Sequence, residues 1–193
     1  MLTEYLNPKL LLHVTERRQW RAWLRKHHKS QREIWLVFNK KHTGRPRISY
    51  NDAVEEALAF GWIDSTVRKV DESRYAQRFT PRRPGSPYSQ ANLERLRAMA
   101  RQGKVAKNVL AKLGDVITVE ELRIPPDIRQ ALKADQAVWK NFRAFSESYK
   151  RIRIGYIEGA RDRSDEFAKR LQNFVAMTKK NRLIGYGGID KHY

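Results

Sequence analysis

Cysteine is absent from these 193 residues, so disulfides, thiolate nucleophiles and cysteine-ligated zinc or iron–sulfur centres are all excluded. Acidic residues are scarce: 21 Asp and Glu stand against 40 Lys and Arg, and the formal net charge is +19. No apolar run approaches the 18 residues that a membrane-spanning helix needs. The amino-terminal stretch has only a short apolar patch, Leu10–Leu12, and no basic segment leading into a longer apolar one; a secretory signal is not expected, and the reading is a soluble, cytoplasmic protein. The five histidines show no H-E-x-x-H or comparable ligand spacing, and no metal or cofactor is expected. There is no G-x-S-x-G, no P-loop and no G-x-G-x-x-G. Gly185-Tyr186-Gly187-Gly188 follows no strand and reads as a chain end rather than a phosphate cradle.

What is present is charge of one sign, spread along the chain and densest over residues 68–112, where 12 Lys and Arg face three Asp and Glu. A protein of this balance is drawn to polyanions such as nucleic acid, anionic lipid headgroups or phosphorylated ligands; the competing interpretation is a merely soluble basic surface. With 40% hydrophobic residues, the chain can bury one core, or a main domain with a smaller appended one.

Periodicity places a helix from Thr15 to about His28, with Trp20, Trp23, Leu24 and His27 on one face. Glu33–Lys41 reads as a central strand, apolar on both sides. The following HTGRPR is a turn punctuated by Gly44 and Pro46. Ser49 and Asp52 open a second helix, which Gly61 ends. Trp62–Val70 and Arg74–Thr80 form two further strands. Ser89 caps a helix with the stripe Asn92, Leu93, Leu96, Met99 and Ala100, closed by Gly103. From Pro125 onward the pattern is helical, with caps at Asp135, Ser146 and Ser164.

The expected fold class is α+β: a small three-stranded mixed or antiparallel sheet with helices on one side, followed by an all-helical C-terminal module. The expected domains are residues 1–113, a linker at 114–124, a helical module at 125–182 and a flexible tail at 183–193.

The chemistry concentrates in residues 61–89, GWIDSTVRKVDESRYAQRFTPRRPGSPYS. Residues before proline avoid the helical region, so Pro81 and Pro84 hold Arg82 and Arg83 in an extended or turned backbone, and two guanidiniums so presented suit phosphate or carboxylate. Ser86 adds a hydroxyl. Arg78 lies on the adjoining strand, and Trp62 and Asp64 begin the strand opposite. These six residues, Trp62, Asp64, Arg78, Arg82, Arg83 and Ser86, are the candidate anion-binding set. Each has a bland alternative: a core tryptophan, a structural ion pair at Asp64, solvated arginines on a surface turn.

WLVFNKKHTG, SYNDAVEEALAFGWIDS and RFTPRRPGSPYSQANLERL, with the later IPPDIRQALKADQAVWKNFRAFSESYKRIRIGYIEGA, resemble the YdeI/OmpD-associated, or bacteriocin-protection, family. The resemblance runs from Trp20 to Arg182. It implies a link to protection against bacteriocins or cationic antimicrobial peptides and to the cell envelope, and it supplies no catalytic residue. The leading functional expectation is a non-enzymatic basic protein with an anion-binding surface at the GWIDS and TPRRPGS segments. A nucleic-acid-binding protein using that surface and the basic helix of residues 95–107 is the alternative. An enzyme holding a small anionic substrate among Trp62, Asp64, Arg82 and Ser86 is the third.

Overall fold

The computed structural model describes residues 7–118, 121–185 and 188–192. Val119 and Glu120 of the expected linker, and Tyr186, Gly187 and Tyr193 of the expected tail, lie outside the described residues, as does part of the Gly185–Gly188 run. The chain divides into two compact units: Met1–Ser86 with Met99–Gly114, and Pro87–Ala98 with Asp115–Tyr193.

In the first unit the order is β1 (Leu11–His13), α1 (Arg17–His27), β2 (Ile34–Asn39), α2 (Tyr50–Ala59), β3 (Trp62–Lys69) and β4 (Arg74–Pro81). The sheet has four strands in the order β1-β2-β4-β3, not the three expected from sequence. The added strand is β1, which runs parallel to β2 and pairs Leu11 with Trp35. Three residues are too short to display a two-residue alternation, so the segment reads as an apolar patch until its partner is placed beside it. The remaining pairings are antiparallel.

β2 lies between β1 and β4, and all six of its residues are buried. Its alternation divides the core. Ile34, Leu36 and Phe38 share a face with Phe79, Gln77 and Tyr75, and Trp35 and Val37 share the other with Arg78 and Ala76. α1 covers the first face: Trp20, fully buried, meets Phe79 at 5.3 Å between ring centroids. Trp23 meets Trp62 edge-on at 5.8 Å. On the second face, Trp35, Val37, Val70 and Ala76 form a smaller cluster with Leu10 and Leu11. α1 opens at Glu16 rather than Thr15, because Gln19 Oε1 accepts from both the Thr15 and Glu16 amides.

Phe60 caps α2, and Gly61 follows it with a φ of 75°, in the left-handed region. α4 (Lys107–Leu113) docks at this point, with the Ala106 amide donating to the Ala59 carbonyl at 2.9 Å.

α3 (Gln90–Arg101) is divided between the units after Ala98. In the second unit it is accompanied by α5 (Pro126–Lys133), α6 (Gln136–Ala144), α7 (Glu147–Glu158) and α8 (Ser164–Lys179). Asp135 and Ser146 cap α6 and α7 as the sequence predicts. Ser164 does not cap α8: it is the first helical residue, and Arg163 stands at the cap without a side-chain bond. Ile128, Leu132, Val138, Phe142, Tyr149, Ile154, Ile157 and Phe174 make the core. The Ile184 amide donates to the Tyr149 hydroxyl, and Ile189 is fully buried. Among the described residues no helix is long and apolar enough to cross a membrane.

An ionic cluster joins α3 to α7. Glu94, 5% exposed, accepts from Arg97 Nη1 at 2.6 Å and Arg151 Nε at 2.8 Å. Arg97 also donates to the Ile117 and Thr118 carbonyls. Burial alone would raise the Glu94 carboxyl; the bond from Arg151 and the charges of Arg151 and Arg97 outweigh it and hold the group below its ordinary value.

Candidate anion-binding site

The β3–β4 hairpin and the turn that follows it carry all six candidate residues, and the pleat sorts them onto different faces. Asp64 pairs across the ladder with Phe79, on the face that α1 covers. Its carboxylate accepts from the Tyr50 hydroxyl at 2.8 Å and from Gln77 Nε2 at 3.3 Å. Just beyond it the register shifts between Asp64 and Val67, a bulge that turns the rest of β3. Trp62 shares this face, is 1% exposed, and donates its indole N–H to the His28 carbonyl at 3.1 Å. It is built into the core, with no open ring face for a ligand to stack on.

Arg78 lies on the opposite face, across from Trp35, where its guanidinium is paired with Glu33. Arg68 is on this face too, 5.5 Å from the Trp35 ring centroid.

The TPRRPGS segment closes on itself. The Ser86 amide donates to the Arg83 carbonyl, with Pro84 and Gly85 (φ 75°) between them, the residue order of a type II turn. Arg82 Nη2 donates to the Ser86 carbonyl at 2.9 Å, and the Arg82 amide is held by the Gly61 carbonyl at 2.9 Å. Arg82 and Ser86 therefore brace the turn, while Arg83 stands exposed at its tip. The structure brings Arg82, Arg83 and Ser86 together, places Trp62 and Asp64 on the helix-covered face, and separates Arg78 from all five.

A second set of cations gathers at the far end of the hairpin, roughly 23 Å away for strands of eight residues. The loop after β2 carries Lys40, Lys41, Arg45 and Arg47, and the β3–β4 turn adds Lys69 and Arg74. The turn neutralises its own charges: Lys69 pairs with Glu72 and Arg74 with Asp71. Both carboxyls are held low, each chiefly by the hydrogen bond from that partner, and Lys40 contributes at Glu72. The four loop cations have no side-chain hydrogen-bond or ion-pair partner among the described residues.

The loop is nonetheless ordered. The Lys40 amide donates to the Ser73 carbonyl at 2.8 Å, Asn39 Nδ2 to the Pro46 carbonyl at 2.8 Å, and Thr43 Oγ1 to the Lys40 carbonyl at 2.7 Å. Gly44 takes φ 63°, and Ile48 is buried behind it. Arg47 lies near Tyr75, whose phenol burial pushes up and Arg47 pulls back, and Tyr75 stacks on Phe38 at 5.0 Å.

Read as sequence, this segment is a turn marked by Gly44 and Pro46. The signal that identifies it as a basic loop is simpler: Lys40, Lys41, Arg45 and Arg47 within eight residues, with no acid among them. Among the described residues no group of three or more histidines and carboxylates is placed to hold a metal ion.

No curated protein and no solved structure matches the chain. Two family models do. One, a domain of unknown function termed DUF8412, matches residues 12–112, which contain both basic ends of the hairpin and nearly the whole sheet. The other, described as bacteriocin-protection, YdeI or OmpD-associated, matches residues 121–181, the four-helix part of the second unit. The chain thus belongs to the DUF8412 family, and its C-terminal helices are similar to the bacteriocin-protection, YdeI or OmpD-associated family.

Proposed function

We propose that this is a non-enzymatic basic protein that engages a polyanion, nucleic acid being the chemistry its charges fit, through the loop at Lys40–Arg47, with Arg83 as a further contact at the other end of the hairpin. The observation that carries the reading is the loop itself: four cations without a side-chain hydrogen-bond or ion-pair partner among the described residues, on a backbone already braced by hydrogen bonds. Little ordering cost then attaches to docking. The charges sit on an open surface, which favours an extended anion touching several cations at once over a small anion in a cavity.

The pocket reading at Trp62, Asp64, Arg82 and Ser86 has less support. The tryptophan is buried, Arg82 and Ser86 are bonded to each other, and none of the three cavities described in the molecule is lined by any of the four. Bacteriocin protection, the role named by the C-terminal family, would then run through an anionic partner. A protein of charge +19 repels a cationic peptide, and like charges juxtaposed across an interface cost on the order of several kcal/mol.

The test is fluorescence anisotropy with labelled single- and double-stranded oligonucleotides across a salt series. Neutralising Lys40, Lys41, Arg45 and Arg47 to glutamine together should reduce the slope of log K against log salt by about 3, at roughly 0.7–0.9 for each phosphate no longer neutralised. No detectable binding near physiological salt, or an unchanged slope in the variant, would overturn the reading.

A further inference from the structure

We propose that the cleft between α7 and α8 is a binding site for a small amphipathic anion, an aromatic ring or short branched chain bearing one carboxylate. The cleft encloses about 370 Å³, at the lower end of the roughly 300–1,000 Å³ of small-molecule sites. Its floor is apolar: Ile157 and Phe174, each 1% exposed, with Ile184 at the margin. Its polar lining is Arg153, Tyr156, Arg170 and the amide of Asn173, and among the described residues no carboxylate lines it.

The guanidinium of Arg170 is fixed before any ligand arrives. Its Nε donates to Glu166 at 2.7 Å, its Nη1 donates to the Tyr156 carbonyl at 2.6 Å, and its central carbon lies 3.9 Å from the centroid of the Tyr156 ring. Those bonds leave Nη2 without a hydrogen bond among the described residues. Arg153 stands 5.7 Å from the same tyrosine ring. Two cations therefore flank one half-exposed aromatic ring at the mouth of an apolar cleft. An ordered, weakly hydrated guanidinium beside a dry floor favours a carboxylate whose hydrocarbon part can fill the space beneath it. Inorganic phosphate would leave the floor unfilled, and a neutral hydrocarbon would leave Arg170 Nη2 unanswered.

A more polar cavity in this unit differs in this respect: Arg97, Arg123 and Arg151 are there interspersed with Glu121 and Glu158. The assignment is independent of the sheet-end loop and survives if that loop binds nothing.

It is tested on the full chain by thermal shift with phenylacetate, inorganic phosphate and benzyl alcohol at matched concentrations. Phenylacetate at about a hundredfold above its Kd should raise Tm by roughly 5–10 °C, and the other two should not match it. Asn173→Phe, at an exposed position on α8, should fill the cleft and remove the rise without lowering the basal Tm. Arg170→Gln should remove it while leaving the oligonucleotide affinity of the sheet-end loop unchanged. A rise matched by phosphate or by benzyl alcohol, a rise that persists in Asn173→Phe, or no rise with phenylacetate would overturn the proposal.

Discussion

Gly155 sits in the interior of α7, where alanine would ordinarily be the better helix former by about 1 kcal/mol. Packing predicts the opposite sign. A Cβ built on Gly155 would lie 2.8 Å from the Cβ of Gln90, the first residue of α3. Carbon atoms approach favourably at about 3.5–4.0 Å, so the helices would have to part by roughly 1 Å. The obstructing atom is next to the backbone and cannot swing aside. One turn along α3 is Glu94, whose bonds to Arg151 of 2.8 and 3.4 Å would be lengthened by that movement. Overpacking of this kind costs about 1–3 kcal/mol, and strain on the ionic cluster adds to it. Gly155→Ala should therefore destabilise by about 2 kcal/mol after the helix-propensity gain, seen in thermal denaturation as a Tm lower by roughly 4–8 °C. Replacing Gln90 by glycine in that background should restore most of the loss, because it removes the opposing Cβ at a helix end where glycine is tolerated. A variant as stable as the parent, or more so, would refute the packing argument, and failure of the second substitution to rescue would show that the clash lies elsewhere.

Other outcomes follow from the same structure. Glu94→Gln leaves the buried Arg97 and the partly buried Arg151 without their counter-charge and should cost about 3–5 kcal/mol in chemical denaturation. The folded-state value of Glu94 is lowered from the ordinary 4.5, so its contribution is present above that pH and is lost as pH falls through the lowered value. Stability measured from about pH 5 downward should fall less steeply in the variant. Gly61→Ala places a side chain at φ 75° with its Cβ 3.3 Å from Val109 Cγ2, whereas Gly44→Ala at φ 63° meets nothing within 4 Å. Both should lose about 1–2 kcal/mol for the left-handed backbone, and Gly61→Ala should lose measurably more in parallel melts.

How far the sequence could be read depended on distance along the chain. Local signals were sufficient for β2, whose uninterrupted IWLVFN run is buried on both faces, and for the caps at Asp135 and Ser146. They failed where a partner is remote. β1 is three residues whose strand character exists only beside Trp35 and Leu36. Glu94 and Arg97 look like the wet side of an amphipathic α3, and their burial depends on Arg151, 57 residues beyond Glu94. The candidate residues at Trp62–Ser86 were legible as chemistry but not as geometry. Alternation along β4 was enough to put Arg78 and Phe79 on opposite faces. That Asp64 shares the Phe79 face needs the pairing register, which only the folded hairpin supplies.

The assignment of one helix to two compact units has a practical bearing on how the protein can be dissected. Homology places a boundary after residue 112, yet a fragment cut there would keep Glu94 and Arg97 and discard Arg151 and the two carbonyls that Arg97 holds. The inherited module and the mechanically sound one have different borders, and the shorter piece would carry a broken charge cluster as an aggregation-prone wound.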